Sequence, residues 1–198
     1  MKFVIATHNP HKVTEFERIL APLGIEVVSQ TQEGIDIAVE ETADSFEGNS
    51  FLKAKAVFDE CGIPAIADDS GLEVYALGNT PGVYSARYGG PGLDDAGRTE
   101  LLLQNMKDIP DEERGARFVC CITLVLQKDR VYSFRGVCEG KIGYVPKGKN
   151  GFGYDPVFLV GEKSFSELSP KEKDTISHRG KALRALEQKI KELGIKNA

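Results

Sequence analysis

The apolar positions of the chain form short continuous runs that alternate with stretches of helical spacing. Residues 2–6 form a compact apolar run that predicts a buried strand. Asn9 and Pro10 then provide a helix-start signal, a capping side chain followed by a proline at the first helical position. Apolar residues recur at helical spacing after it, at Val13, Phe16, Ile19 and Leu20. With a second strand predicted at residues 25–29, this opening is typical of α/β proteins.

The next segments repeat this alternation. Asp44 and Glu47 resemble a capping box, and they predict a second helix that Gly62 ends. Residues 63–67 predict a strand that stops abruptly at the polar run 68–71.

The second half of the chain mixes loops, strands and helices. In order, its sequence predicts a loop at residues 78–92, a helix at 93–106, an antiparallel hairpin of strands 118–126 and 131–137, a glycine-rich loop at 140–153, a short strand at 154–160 and a helix at 177–193. We find no internal repeat and no low-complexity linker. The sequence therefore predicts one domain over residues 1–198, of the α/β class, with an elongated central mixed β-sheet flanked by helices.

Charge and composition narrow the possible partners. The chain has 25 basic and 30 acidic residues, a formal net charge of −5, which disfavours binding to long nucleic acids. No apolar run approaches the roughly 20 residues that a membrane span requires. The first six residues lack the features of a signal peptide, so we expect a cytoplasmic protein. The four cysteines lack a CxxC spacing, which favours reduced thiols over a zinc site.

The first candidate for chemistry is the turn between the first strand and the first helix. Thr7, Asn9 and Lys12 fall at a helix N-terminus, where free N–H groups and the helix dipole favour an anion such as phosphate. The alternative is a helix cap beside a solvated lysine. The glycines of a Walker loop are missing, which disfavours an ordinary P-loop.

The second candidate is acidic. Asp68 and Asp69 follow an apolar strand, and adjacent carboxylates there repel each other unless a cation or a donor relieves them. Glu40 and Glu41 could complete a site for Mg²⁺, which binds through one or two carboxylates plus substrate phosphates. Lys53 would add a positive charge. The alternatives are a simple turn at the aspartates and an exposed acidic turn at the glutamates.

Two further segments carry polar and aromatic residues. The segment 151–156 places Phe152 between two glycines and Tyr154 directly after them, so that a flat ligand could approach the backbone and stack on a ring. A turn with core aromatics explains it equally well. The segment 177–180 places His178 and Arg179 at the start of the last helix, with Lys173 upstream as a further donor.

Six motifs occur in one order along nearly the whole chain: THNPHK, EETADSFEGNSFLKA, IADDSGLEV, PGVYSARYGG, GFGYDP and ISHRGKAL. Together they resemble the inosine triphosphate pyrophosphatase family, and within it the bacterial enzymes that act on dITP and XTP. The resemblance implies two lobes with an active-site cleft between them, a homodimer, and Mg²⁺ as cofactor. It also implies hydrolysis of dITP, ITP and XTP to the monophosphate and pyrophosphate. We expect no membrane partner, because the sequence lacks an apolar run of membrane-spanning length.

The resemblance also assigns roles to matching positions. Asp69 matches the general base and a metal ligand, and Glu41 matches the other acidic ligand, with Glu40 as the alternative by one residue. The substrate contacts that it implies are Thr7, His8, Asn9, Pro10, His11, Lys12, Lys53, Ser70, Phe152, Gly153, Tyr154, Asp155, Lys173, His178 and Arg179. His8 and His11 lie inside the phosphate-contacting segment but are not fixed parts of the pattern.

Two other functions stay open at this point. One is a nucleotide pyrophosphatase of the septum-formation type, which acts on modified pyrimidines. The other is a nucleotide-binding module without catalysis. The SHRG element and the GFGYDP loop favour the purine branch, and the presence of both acidic elements and the matched lysines favours an enzyme.

Overall fold

The computed structural model describes residues 1–195 and contains a mixed eight-stranded sheet. Its strands are β1 (Lys2–Ile5), β2 (Glu26–Ser29), β3 (Ala65–Val74), β4 (Thr80–Pro81), β5 (Gly115–Gln127), β6 (Arg130–Ile142), β7 (Phe158–Val160) and β8 (Lys163–Ser164). The order is β2-β1-β3-β5-β6-β7-β8, with β4 paired to β3. Strand β1 runs parallel to β2 and β3, whereas β4, β7 and β8 pair in antiparallel fashion.

Five α-helices accompany the sheet among the described residues. They are α1 (Pro10–Leu20), α2 (Phe46–Cys61), α3 (Asp95–Asn105), α4 (Pro170–Ile176) and α5 (His178–Glu192). The predicted α/β class, with a mixed sheet flanked by helices, is confirmed. Within residues 1–195, no helix combines the length and apolarity that crossing a membrane would require.

The chain divides into two compact units, which agrees with the two expected lobes. Among the described residues, the first contains residues 1–69, 120–136 and 181–195, and the second contains residues 70–119 and 137–180. The single domain and the cleft stay predictions.

In the first unit, both faces of the sheet are covered. Side chains alternate between the two faces of a strand, so Phe3 and Ile5 of β1 join the core that α1 and α5 complete, while Val4 joins the core of α2. The same alternation separates Ile66 from Ala67 on β3. Each face of the first unit thus has its own helical cover.

The second unit has an aromatic core of its own. Phe118 lies 4.6 Å from Phe158 and 5.8 Å from Phe165, measured between ring centroids. Leu102 and Met106 pack into the same core. This core supports the loops that follow β6 and β8.

Strand β3 differs most from its prediction. It continues from Ala65 to Val74, so Asp68, Asp69 and Ser70 lie inside a strand and do not end it. Polar residues ordinarily mark a strand end, but here both aspartates are buried opposite lysines, and the strand continues. The neighbouring strand β1 ends at Ile5, which pairs with Ile66, so β3 extends past the end of β1.

The remaining differences concern short elements. Helix α2 is capped by Ser45, whose side chain accepts from the Gly48 N–H, so the predicted cap at Asp44 is wrong by one residue. The predicted loop at residues 78–92 contains β4 and a 3-10 helix over Gly82–Arg87. Only Phe158–Val160 of the predicted strand 154–160 is extended. Helix α4 was not predicted, because seven residues carry too little periodicity.

Candidate functional site

The adjacent aspartates of β3 are separated by the alternation of the strand. Asp69 follows Ala67 on the face of the sheet that α2 covers, and Asp68 follows Ile66 on the face that α1 covers. Each carboxylate therefore meets a lysine from the helix on its own face. The repulsion expected between neighbouring carboxylates is relieved in this way.

Lys12, in the first turn of α1, holds Asp68. Its Nζ lies 3.0 Å from Asp68 Oδ1, and the Asp68 side chain is entirely excluded from solvent. A buried carboxylate needs such a partner, because burial disfavours its charged form. The pairing also places an ammonium group at the helix N-terminus for which the sequence predicts a candidate phosphate site.

Lys53, on α2, joins the two acidic segments. Its Nζ lies 2.6 Å from Glu41 Oε1 and 3.1 Å from Asp69 Oδ1. The three side chains are largely buried, Glu41 being the most exposed at 24%. The sequence prediction that Glu41, Lys53 and Asp69 converge is therefore met within the first unit.

Burial and mutual charge shift the pKa values of this cluster. Burial raises the pKa of Asp69, against the opposing effect of the Lys53 ammonium, and the Glu41 carboxylate raises it further. For Lys53, burial lowers the pKa, but the carboxylates of Asp69, Asp68 and Glu41 outweigh it and the net pKa is raised. The carboxyl of Asp69 is thus a stronger base than a solvated aspartate.

The cluster of Glu41, Lys53 and Asp69 suits a divalent cation that takes part of its ligands from water and substrate. It suits less well a metal held by protein side chains alone. Within residues 1–195, no group of three or more His, Cys, Asp or Glu side chains is arranged to hold a metal ion. Mg²⁺ does not require one, because it binds through one or two carboxylates and takes its other ligands from water and substrate phosphates. Glu41 and Asp69, both within reach of one ammonium, meet that requirement, whereas Glu40 is exposed.

The segment from Thr7 to Lys12 is a compact helix start. The Asn9 N–H donates to Thr7 Oγ1 at 3.1 Å, and the His11 N–H donates to Asn9 Oδ1 at 2.9 Å. These bonds confirm the predicted cap at Asn9 with Pro10 at the first helical position. The phosphate contact remains a prediction.

His8 is held from the side by a buried glutamine. Gln30 Nε2 donates to the carbonyl of Ile37 at 2.8 Å and lies 3.0 Å from His8 Nε2. An amide nitrogen only donates, so His8 Nε2 accepts. The neutral ring of His8 then carries its proton on Nδ1.

In the second unit, Phe152 lies beneath two cations. Lys173 Nζ is 4.9 Å and Arg179 Cζ 5.8 Å from the centroid of its ring. Lys173 is anchored by Asp155, whose Oδ2 lies 2.6 Å from its Nζ, and the same Oδ2 accepts from the Phe152 N–H at 3.0 Å. The buried Asp155 carboxylate thus fixes the positions of both the Phe152 backbone and the Lys173 ammonium group.

The start of α5 completes this second cluster. Arg179 donates to Ser70 Oγ at 2.9 Å, and the ring of His178 stacks on Phe118 at 4.6 Å. The side chains of His178 and Arg179 are both nearly excluded from solvent. The structure therefore brings together Ser70, Phe152, Asp155, Lys173, His178 and Arg179 within the second unit.

Two predicted site residues of the GFGYDP segment, Gly153 and Tyr154, form hydrogen bonds to other parts of the second unit. Tyr154 is buried in the core, and its hydroxyl donates to the carbonyl of Ser85 at 2.9 Å. The Gly153 N–H donates to Asp95 Oδ2 at 2.9 Å. Direct contacts of these two residues with a substrate stay predictions.

The sequence analysis missed one polar residue of the cluster formed by Glu41, Lys53 and Asp69. Asn49 is fully buried on α2 and donates to Asp69 Oδ2 at 3.3 Å. Its spacing of four from Lys53 places both on one face of the helix, which is the signal that could have revealed it.

The fold and the two clusters define an α/β protein with a carboxylate–lysine group suited to a metal and phosphates, and an aromatic–cationic group suited to a flat ring. The chain belongs to the Ham1 family, whose model matches residues 3–189. It is 47% identical over 192 residues to a dITP/XTP pyrophosphatase of an Exiguobacterium species, covering 96% of this chain and 97% of that protein. A protein of the same name from Thermus thermophilus is 48% identical, with 97% and 93% covered. A solved HAM1 protein from Coxiella burnetii superposes with a TM-score of 0.89 at 39% identity, over 97% of this chain and 99% of that one.

Proposed function

We propose that this protein hydrolyses dITP, ITP and XTP to the nucleoside monophosphate and pyrophosphate, and so removes non-standard purines from the nucleotide pool. The support is full-length similarity to proteins named dITP/XTP pyrophosphatase. The observation that carries the proposal is Lys53 bridging Glu41 and Asp69, an arrangement of charges suited to phosphate chemistry.

Glu41 and Asp69 would hold the metal, for which we propose Mg²⁺. When bound, the ion supplies positive charge that neutralises phosphate oxygens and lets an anionic or polar nucleophile approach. Both carboxylates present oxygen ligands, which this cation prefers.

Asp69 would act as the general base. Its carboxylate would take a proton from a water molecule, whose oxygen forms a bond to the α-phosphorus while the bond from that phosphorus to the bridging oxygen breaks. Lys12 and Lys53 would stabilise the negative charge of the departing pyrophosphate.

The second-unit cluster would read the base. Phe152 offers a ring face for stacking, and Arg179, His178 and Lys173 offer N–H donors for the oxygen at purine position 6 of hypoxanthine or xanthine. Adenine carries an amino group there, and two donors facing each other in a dry pocket are costly. Guanine shares the oxygen, so its rejection requires a contact at the 2-amino group.

A substrate panel tests the function. We would incubate the protein and Mg²⁺ with ITP, XTP, dITP, GTP, ATP, dTTP and UTP and resolve the products by ³¹P NMR. We expect monophosphate and pyrophosphate from the first three. Orthophosphate would refute attack at the α-phosphorus, a preference for dTTP or UTP would favour the septum-formation type, and binding without turnover would favour a non-catalytic module.

Variants of the acidic cluster test the roles. Asp69→Asn should abolish turnover in a folded protein, and full activity would remove Asp69 from its role. Glu41→Gln should lower turnover strongly, whereas Glu40→Gln, at the exposed neighbouring position, serves as the matched control. Equal losses in the two glutamate variants would contradict the assignment to Glu41.

We further propose a homodimer in the cytoplasm. The location follows from the nucleotide pool on which the enzyme would act and from the four cysteines, which all lie in the described part of the chain and form no disulfide. Light scattering coupled to size-exclusion chromatography measures the oligomeric state, and a monomer mass would reject the dimer.

A further inference from the structure

The side-chain amide of Asn49 lies between the two segments that carry Glu41 and Asp69. Its Oδ1 accepts from the Ala43 N–H at 3.0 Å, and its Nδ2 donates to Asp69 Oδ2 at 3.3 Å. The orientation of the amide follows from its partners, because a backbone N–H only donates and an ionised carboxylate only accepts. One fully buried side chain therefore connects both acidic segments.

Asp69 is held at both of its oxygens from one helix face. Lys53 reaches Oδ1 at 3.1 Å, and Asn49 reaches Oδ2. The terminal torsion of an aspartate is broad and two-fold, so a single contact leaves the carboxylate plane free to turn. The second contact fixes the direction in which the oxygen lone pairs point.

Gly48 shows independently that the segment containing Glu41 is seated on α2. A Cβ added at Gly48 would lie 2.5 Å from Ala43 Cβ, a distance at which one of the two must move. The close approach that glycine permits is also what brings the Ala43 N–H within reach of Asn49. Two neighbouring positions of α2 thus set where the Glu41 segment lies.

We propose that Asn49 is a positioning residue of the metal site: it orients the Asp69 carboxylate and anchors the Glu41 segment so that both face one divalent cation. This inference rests on the proposed function, in which these two carboxylates hold the metal. Asn49 itself touches neither the metal nor the substrate in this role. Partners that orient the direct ligands of a metal typically change its affinity or the activity by ~10- to 100-fold when removed.

A purely structural role is the alternative, since any buried amide contributes to stability. Ser50 provides a matched control, because it is the next residue of α2 and is equally buried. Its hydroxyl forms hydrogen bonds with the Thr123 hydroxyl at 2.8 Å and with the carbonyl of Glu47 at 3.0 Å, and neither partner belongs to the segments of Glu41 or Asp69. Loss of each side chain should lower stability, but only loss of Asn49 should change metal binding.

The experiment measures Mn²⁺ binding to the full chain without nucleotide, by electron paramagnetic resonance, for the wild type, Asn49→Ala, Gly48→Ala and Ser50→Ala. Thermal unfolding in EDTA records stability separately. Steady-state hydrolysis of ITP is then followed against Mg²⁺ concentration. Gly48→Ala keeps every hydrogen-bonding group of the region, so it still tests the idea if Asn49→Ala does not fold.

We expect Asn49→Ala to raise the Mn²⁺ Kd and the half-saturating Mg²⁺ concentration by ~10- to 100-fold. The KM for ITP at saturating Mg²⁺ should change little, while kcat falls. Gly48→Ala should give a smaller shift of the Mn²⁺ Kd in the same direction. Ser50→Ala should lower the unfolding midpoint and leave the Mn²⁺ Kd unchanged.

The proposal is overturned if Asn49→Ala binds Mn²⁺ as the wild type does, or if Ser50→Ala weakens binding equally. Failure of the proposed function gives a different result. In that case the wild type itself would neither bind Mn²⁺ nor hydrolyse ITP, and no variant comparison would be needed.

Discussion

Replacing Lys53 by methionine should leave two carboxylates close together without their shared cation. Lys53 Nζ contacts Glu41 at 2.6 Å and Asp69 at 3.1 Å, and the Lys53 and Asp69 side chains are only 14% and 9% exposed. Removing one partner of a buried ion pair costs about 3–5 kcal/mol, because the remaining charge is left without compensation. Glu41 is 24% exposed and is screened by water, which favours the lower end of that range.

The measurement is the thermal unfolding midpoint in EDTA. A loss of about 3 kcal/mol lowers the midpoint of a protein of this size by about 6–12 °C. Lys55→Met is the control, since Lys55 lies on the same helix and pairs with Asp59 at the surface, both about half exposed. That exposed pair is worth at most about 1 kcal/mol, so its loss should move the midpoint far less.

Divalent cations should distinguish electrostatics from packing. Added Mg²⁺ should stabilise Lys53→Met more than the wild type, because the ion takes the place of the missing ammonium between Glu41 and Asp69. The reasoning is refuted if Lys53→Met unfolds in EDTA at the same temperature as Lys55→Met. It is also refuted if Mg²⁺ raises the unfolding midpoints of Lys53→Met and the wild type equally.

Three further outcomes are expected. Gly151→Ala should weaken ITP binding by roughly tenfold. The φ of Gly151 is +78° and the new Cβ would clash with Asp155 Oδ2, which together cause strain of about 1–3 kcal/mol in this loop. An unchanged KM for ITP would contradict this. A ¹⁵N–¹H correlation spectrum should show the neutral ring of His8 protonated at Nδ1, and Gln30→Ala should abolish this preference for one tautomer. A neutral ring protonated at Nε2 in the wild type would be incompatible with the Gln30 contact. Arg114→Met should lower the free energy of unfolding in urea by at least about 3 kcal/mol, because the buried guanidinium donates to four backbone carbonyls. A loss below about 1 kcal/mol would show that those carbonyls find other partners.

Local signals predicted most of the elements. Asn9 and Pro10 marked the start of α1, because capping depends on neighbouring residues alone. The apolar runs around β5 and β6 predicted their hairpin, which the structure extends at both ends. Short elements such as α4 and β8 were missed, since their stability comes from packing rather than from periodicity.

The acidic cluster was predicted only in part. Glu41, Lys53 and Asp69 stood out by charge and by resemblance, and the structure brings them together. Asn49 was overlooked, because its spacing of four from Lys53 places it on the same helix face but does not show that this face meets Asp69. Its hydrogen bonds to Ala43 and Asp69 form only when the Glu41 segment and β3 both pack against α2.

The sequence by itself determined the α/β class, the order of the main elements and the family, because periodicity, capping and motif order are encoded along the chain. Tertiary structure alone decided that β3 runs through Asp68 and Asp69 and that each carboxylate meets its own lysine. The physical reason is that burying a charge is unfavourable until a distant partner arrives. A polar run therefore indicates a strand end until the helices on both faces of the sheet are in place.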